Sequence, residues 1–562
     1  MVILKLIRSS VAQAKTGTGK TIGFLLPTIQ NILRASPELA TRNRYSKARP
    51  SDIRAIIISP TRELAEQIAV EASKLCQNTD LVVQVATGGN SKSAMLRKTQ
   101  REGCHVLVAT PGRLNDLLTD PYSRIAAPGL TTLVLDEADR LLDQGFSKDI
   151  EDIIDLLPNR KKVDRQTLLF SATMPREVMS LVTRTLKPDF LFVETVHEGD
   201  VATHEKVPQR LISVNGYENF LPTLLELAKL EIEKTAQAES TGSKEVKPFK
   251  AIVYFNSTAN VILAEEIFHN LKGEKAGLFG KHPLYPAEVL AMHGQLTQER
   301  RTRNSERFRR AKCAILFSTD VTARGMDFPN VTHVIQIGLP QQREQYIHRI
   351  GRTGRGSQTG TGYLFVHEDE MQASYRVLRG LPISLYEELR AAAIDMTQEA
   401  QLPASLAATL SQIGDATKMV QRETKAKAYM AELGGPSARS RPQSHIDALN
   451  RWTKYGWGWD EPPYVSPNLA SKLGFGRMRN LNTEFGGDRD SDRGFGGRGG
   501  DRRGFGDRGF GGRGDDRGGF GDRGNSGRGF GRGDSGDRKF GGRGGDRGGF
   551  GDRRGRGSSR DR

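Results

Sequence analysis

Cysteine is nearly absent. Three residues, Cys76, Cys104 and Cys313, stand in a chain of 562. They are far apart and odd in number, so they offer neither a metal-ligand spacing nor a disulfide framework, and they fit a reducing compartment. Each reads as a small packing residue. Long apolar runs are missing too. No stretch approaches the ~18–20 residues that a membrane span needs, so no membrane partner is expected. The opening MVILKLI is shorter than a signal-peptide core, and no small-residue cleavage pattern follows it. Negative charge is in the minority: 66 Asp and Glu face 83 Lys and Arg, a net charge of +17. That excess points to a polyanionic partner.

Glycine is abundant, at 62, but unevenly placed: residues 485–562 hold 31 of them. The same stretch carries 20 basic against 13 acidic residues, a net of +7, and leaves +10 for residues 1–484. It contains no aliphatic side chain, and Phe recurs every ten residues from Phe485 to Phe550, with one step of five at Phe510. Such a segment cannot bury a core and is expected to be disordered. Arginine takes phosphates and stacks on bases, and Phe adds π-faces, so the tail reads as an RNA tether of RGG type. Read blandly it is a solubilising linker.

Residues 50–370 alternate short β-branched runs with amphipathic stretches. The runs include AIIIS (55–59), HVLVAT (105–110), TTLVLD (131–136), TLLFSAT (167–173), AIVYFN (251–256), EVLAM (288–292), AILFST (314–319), THVIQI (332–337) and GYLFV (362–366). Runs that are apolar on both faces suit strands covered by helices above and below. Their alternation with helices implies parallel sheets. A polar break at 195–207 marks a linker, giving two α/β lobes at 1–194 and 208–370. Residues 371–484 read as a helical extension, with helices expected over SLYEELRAAAIDM (384–396) and over 407–433. All three tryptophans fall in this extension, and packing is favoured over base stacking for them.

Ligands of open α/β sheets sit outside the carboxyl ends of the strands. There the sequence places AKTGTGKT, residues Ala14, Lys15, Thr16, Gly17, Thr18, Gly19, Lys20 and Thr21. The glycines let backbone N–H groups face phosphates, Lys20 would reach the β- and γ-phosphates, and the Thr21 hydroxyl would hold Mg²⁺. Taken alone, the loop is also a glycine turn with a helix cap. LVLDEAD (133–139) then puts two carboxylates just past an apolar run. Asp136 is placed to bind Mg²⁺, directly or through water, and Glu137 to orient and deprotonate an attacking water.

DEAD at residues 136–139 resembles the signature of the DEAD-box RNA helicases, and the other motifs follow in that family's order. They are PTRELA (60–65), Gly88 and Gly89, TPGR (110–113), SAT (171–173), IVYFNS (252–257), Gln298 with Arg301, STDVTARGMDFP (318–329) and YIHRIGRTGR (346–355). The likeness covers about residues 11–370. It implies two tandem RecA-like domains that close on ATP and RNA together. It further implies that Gly325 and Asp327 face the ribose of the nucleotide. Arg352 and Arg355 would act as arginine fingers, the planar cations that phosphoryl transfer calls for. Asp139, Ser171, Thr173 and His348 would couple the lobes. RNA would be held by Pro60, Thr61, Arg62, Gly88, Gly89, Thr110, Pro111, Gly112, Arg113, Gln298, Arg301 and Thr319. These suit sugar–phosphate contacts, which position a strand without reading its sequence.

The resemblance thus implies an RNA-dependent ATPase that locally unwinds short duplexes, with ATP and Mg²⁺ as cofactors. Its partner is single-stranded or structured RNA, and the chain is expected to be a monomer. The extension and the run before residue 346 resemble the fungal mitochondrial members, general RNA chaperones of intron splicing and translation. That implies the mitochondrial matrix, with nucleus, nucleolus or cytoplasm as alternatives, since MVILKLIRSS shows no transit peptide. The family's adenine-reading Q motif is not found ahead of Ala14, so the chain reads as N-terminally truncated. A non-catalytic RNA-binding scaffold is the alternative reading.

Overall fold

β-branched and aliphatic residues dominate the strands of both lobes, and alternate side chains enter opposite layers. In the computed structural model, Ile56 and Ile58 of AIII pack into one core of the first lobe, while Ala55 and Ile57 pack into a second one across the sheet. All four are fully buried. That is period-2 geometry with helices on both faces. Losing the Ile57 side chain to Ala would cost about 2–5 kcal/mol. The structure describes residues 8–484, except 15–18, 43–47, 160–163, 195–206, 242–245, 274–281, 324–325, 327, 355–358 and 436. The expected tail, and the expected linker apart from Val207, therefore lie outside the described residues.

The first sheet comprises β1 (Ser10–Gln13), β2 (Ala55–Ile58), β3 (Val83–Ala86), β4 (Val106–Ala109), β5 (Thr132–Leu135), β6 (Gln166–Ser171) and β7 (Leu191–Glu194). Their order is β3-β4-β2-β5-β6-β1-β7. The second sheet comprises β8 (Gln209–Val214), β9 (Lys250–Phe255), β10 (Glu288–Met292), β11 (Ala314–Ser318), β12 (His333–Ile337), β13 (Thr361–His367) and β14 (Ile383–Leu385). It is ordered β10-β11-β9-β12-β13-β8-β14. That is the first order with each strand replaced by the one seven later, and every pairing is parallel. The chain is thus two α/β units of one topology in tandem, followed by helices. Register places Gln13 beside Ser171 and Ile58 beside Leu135. The loops leaving β1, β5 and β6 therefore emerge side by side at one carboxyl edge.

The expected helix over 384–396 is not formed. Those residues instead add β14 to the open side of β8, with Tyr386 N–H donating to Leu211 C=O at 2.8 Å, and then make a short 3₁₀ turn at Arg390–Ala393. Tertiary pairing overrides helix propensity here. The Glu226 carboxylate accepts from the Arg390 and Ala391 N–H groups, and Leu389 and Ala392 sink into the second lobe's core. The second sheet so runs beyond residue 370. The expected helix over 407–433 is two, Ala404–Lys418 and Arg422–Leu433.

The extension shares its core with the second lobe. Tyr429, Leu433, Ile446, Leu449, Trp452, Trp457 and Phe475 join the same apolar cluster as Val253, Phe255 and Phe317. Trp452 and Trp457 are buried, with ring centroids 4.5 Å apart, and Trp459 carries the Arg422 guanidinium 4.5 Å from its ring. Polar ties add to this seam: Lys229 Nζ donates to Gln412 Oε1 at 2.7 Å, and Arg441 pairs with Asp369 at 2.7 Å.

Candidate nucleotide and RNA site

The phosphate loop leaves β1 and ends at Gly19, whose φ of 85° suits glycine and starts the helix Lys20–Ala35. Lys15, Thr16, Gly17 and Thr18 lie outside the described residues. Ala14 N–H donates to Ser171 C=O at 3.1 Å, tying the loop's root to the end of β6. Lys20 and Thr21 open the helix, so their N–H groups and the helix dipole face the site. Asp136 and Glu137 leave β5 one strand further on. Glu137 is a non-glycine residue at φ 50°, a conformation that concentrates where function demands it. Its Oε1 lies 3.3 Å from Lys20 Nζ, with both side chains almost fully buried.

Burial, and after it the charge of Glu137, raise the Asp136 pKa above the ordinary carboxylate range. The charge of Lys20 opposes that rise. Asp136 and the Thr21 hydroxyl supply hard oxygen donors, the type that Mg²⁺ takes. Among the described residues no group of three or more His, Cys, Asp or Glu could hold a metal ion.

Asp139 joins the lobes. Its Oδ2 accepts from Thr173 Oγ1 at 2.9 Å and lies 3.6 Å from His348 Nε2 of the second lobe. Its own N–H donates to Ser171 Oγ at 3.2 Å. Arg352 is buried and donates from Nη1 to Met326 C=O at 2.8 Å. Gly325, Asp327 and Arg355 lie outside the described residues.

A cleft of about 530 Å³ separates the lobes beside this site. Pro60, Thr61, Arg62, Arg301 and Thr319 line it, as do Asn256, Asp320 and Val321, which lie within the motifs but have no assigned role, and Arg140, Gln144, Thr258 and Gly294, which lie outside them. Asn256 and Gly294 lie just past the carboxyl ends of β9 and β10, where the strand-end rule would have found them. The paired glycines are explained by Arg62: a Cβ on Gly89 would come 2.1 Å from its Nη1, and Gly89 has φ 79°. Thr110, Pro111, Gly112 and Arg113 begin the helix Pro111–Thr119; Thr110 makes no side-chain cap, and a Cβ on Gly112 would meet open space. Arg113 Nη2 donates to Asn90 C=O at 3.0 Å. Gln298 and Arg301 reach across the lobes to Glu63, at 3.3 and 2.7 Å.

Behind the cleft sits Arg349, fully buried. It pairs with Asp320 at 2.8 Å and donates twice to Asn256 Oδ1 at 3.1 Å. Burial alone would raise the Asp320 pKa, but the Arg349 guanidinium overrides it and holds the carboxyl below its ordinary range. Arg140 of the first lobe donates to the Asp320 C=O at 2.6 Å.

Family models match in two places: DEAD/DEAH box helicase over residues 1–181 and helicase conserved C-terminal domain over 234–357. The chain is 51% identical over 472 residues to the ATP-dependent RNA helicase mss116, mitochondrial, of Aspergillus fumigatus, covering 83% of this chain and 70% of that protein. It belongs to the DEAD-box RNA helicases. A second relative, the ATP-dependent RNA helicase cyt-19, mitochondrial, of Neurospora crassa, is 48% identical across 84% of this chain and 73% of its own length. Among solved structures, Mss116p bound to ssRNA and AMP-PNP superposes with TM-score 0.65 at 29% identity, over 84% of this chain and 87% of that one. This DEAD-box protein is an ATP-dependent RNA helicase, an enzyme that binds ATP and RNA. Among its described residues no helix is long and apolar enough to cross a membrane.

Proposed function

We propose that this helicase is an RNA chaperone of the mitochondrial matrix, acting in intron splicing and translation. The similarity to two helicases named as mitochondrial supports the address. In the first lobe, Lys20 binds the β- and γ-phosphates and Glu137 aligns and deprotonates the attacking water. Mg²⁺ would be held by Thr21 and Asp136, directly or through water, and would neutralise phosphate charge. In the second lobe, Gly325 and Asp327 take the ribose, while Arg352 and Arg355 meet the charge that develops on the γ-phosphate. RNA lies along Arg62, Gly88, Gly89, Thr110, Gly112, Arg113 and Thr319, held by its backbone. Residues 1–194 and 208–393 work as the motor, the helices from 404 to 484 as the extension that bends RNA, and 485–562 as the tether.

The observation that carries this reading is Asp139, bonded to Thr173 in its own lobe and approached by His348 from the other. A site split in this way makes hydrolysis conditional on closure. RNA-stimulated phosphate release tests it. Glu137→Gln should lower turnover by about 10²–10⁴-fold while retaining ATP-dependent RNA clamping. Turnover within a few-fold of the unmodified chain refutes the base assignment.

A further inference from the structure

Two helix N-termini face each other across the cleft. In the first lobe, Thr61 caps the helix Arg62–Leu75 and Glu63 sits in its first turn; in the second, Thr297 caps the helix Gln298–Arg310. Between them, Arg301 Nη2 lies 2.7 Å from Glu63 Oε1, with the side chains only 6% and 4% exposed. Gln298 Nε2 donates to the same Glu63 oxygen at 3.3 Å, and its next contact is Glu66, 3.5 Å away. Arg62, the neighbour of Glu63, lines the cleft together with Arg301.

We propose that Glu63 is an interlobe latch: its carboxylate captures Arg301 and Gln298 when the lobes close, and so sets how strongly nucleotide tightens RNA binding. This deepens the function proposed above and rests on it. Arg301 and Gln298 are then positioning residues for closure and not contacts of RNA. A buried ion pair is weak as a general stabiliser but demanding in geometry, because either partner left alone in the closed interface is a buried charge without compensation. That suits a contact whose task is to admit one closed arrangement. It also places the Arg301 head beside Arg62 at the cleft wall.

The sign of one substitution separates this role from bulk electrostatics. Glu63→Gln removes a negative charge beside an RNA path. Electrostatics alone then tightens RNA binding at every nucleotide state. A latch predicts the opposite with nucleotide bound. The experiment measures RNA affinity of the full chain by fluorescence anisotropy, with and without AMP-PNP, for the unmodified chain, Glu63→Gln, Glu63→Arg and the exchange Glu63→Arg/Arg301→Glu. The expected result is a loss of at least tenfold in the affinity ratio with and without AMP-PNP for both single variants. The exchange should recover most of it. An unchanged or raised ratio in Glu63→Gln overturns the latch, as does an exchange variant that folds and remains as poor as Glu63→Arg. Should the exchange variant not fold, Glu63→Gln decides alone. RNA-stimulated phosphate release by the unmodified chain is the control, since its absence sinks the functional reading and not the latch alone.

Discussion

Arg349 should support the second lobe as strongly as any single polar residue in it. Replacing it with Met keeps the apolar stem and removes the guanidinium. Four bonds go with it: Nε and Nη2 to the Asp320 carboxylate at 2.8 and 3.2 Å, and Nη1 and Nη2 to Asn256 at 3.1 Å each. Breaking a fully buried ion pair costs about 3–5 kcal/mol, whereas exposed pairs are worth about 0–1 kcal/mol. Arg349 is fully buried, but Asp320 keeps 35% of its side chain exposed towards the cleft. It also retains the Gln345 amide at 2.6 Å. The expected cost is therefore intermediate, about 2–3 kcal/mol. The three tryptophans all lie where the extension meets this lobe, so their fluorescence reports its unfolding selectively. With a urea slope of about 2–3 kcal/mol/M, the midpoint should fall by about 1 M at pH 7. The Asp320 pKa is depressed in the folded chain, so this stabilisation is present above the unfolded carboxyl value and lost as pH falls through the folded one. The deficit of the variant should accordingly shrink in acid. Asp320→Asn combined with Arg349→Met should recover most of the stability. A midpoint shift under about 0.3 M, or a double variant no better than the single, refutes the reasoning.

Three further outcomes follow from named residues. Burial, then the charge of Glu370, push the Glu432 pKa up to about 7 at the seam between extension and second lobe. A raised carboxyl pKa stabilises the folded seam below the unfolded value, and this stabilisation is lost as pH rises through about 7. Glu432→Gln should thus flatten the pH dependence of the tryptophan-reported midpoint between the two values, and an unaltered slope counts against it. Gly89→Ala forces a side chain into left-handed backbone and displaces Arg62; RNA affinity by anisotropy should drop by about 5–30-fold, in line with ~1–2 kcal/mol of strain, and unchanged affinity would remove Arg62 from the RNA path. Deleting residues 486–562 should flatten the log–log salt dependence of RNA binding by about 0.7 for each phosphate that the tail neutralises, with hydrolysis at saturating RNA preserved. An identical slope would end the tether reading.

Local chemistry was legible where it is dense. The phosphate loop, the DEAD carboxylates and the SAT turn are short strings at strand ends, and the structure sets them on adjacent strands. Three things were not legible. The common strand order of the two lobes leaves no repeat in the residues, because a buried parallel strand needs only β-branched side chains and many strings satisfy that. The 384–396 segment carries helix formers, and only the open side of β8 makes it a strand; no local signal encodes a distant edge. Arg349 stands among other arginines in HRIGRTGR, and nothing in the string marks it as the one that pairs with Asp320.

The shared core of second lobe and extension bears on how the enzyme works. Trp452, Leu449 and Tyr429 occupy one apolar cluster with Phe255 and Val253, so parting them would expose that core. Each such side chain contributes about 1.5–3 kcal/mol on burial, and the shared cluster holds many of them. The interlobe contacts among the described residues are of a different kind: Glu63 with Arg301, Asp139 with His348, and Arg140 with the Asp320 carbonyl are polar. Water can replace polar partners at modest cost, but it cannot replace apolar ones. Opening therefore falls between the lobes and not between lobe and extension. The extension travels with Arg352 and His348 as one body, and any grip it has on RNA is tied to the same closure of the lobes.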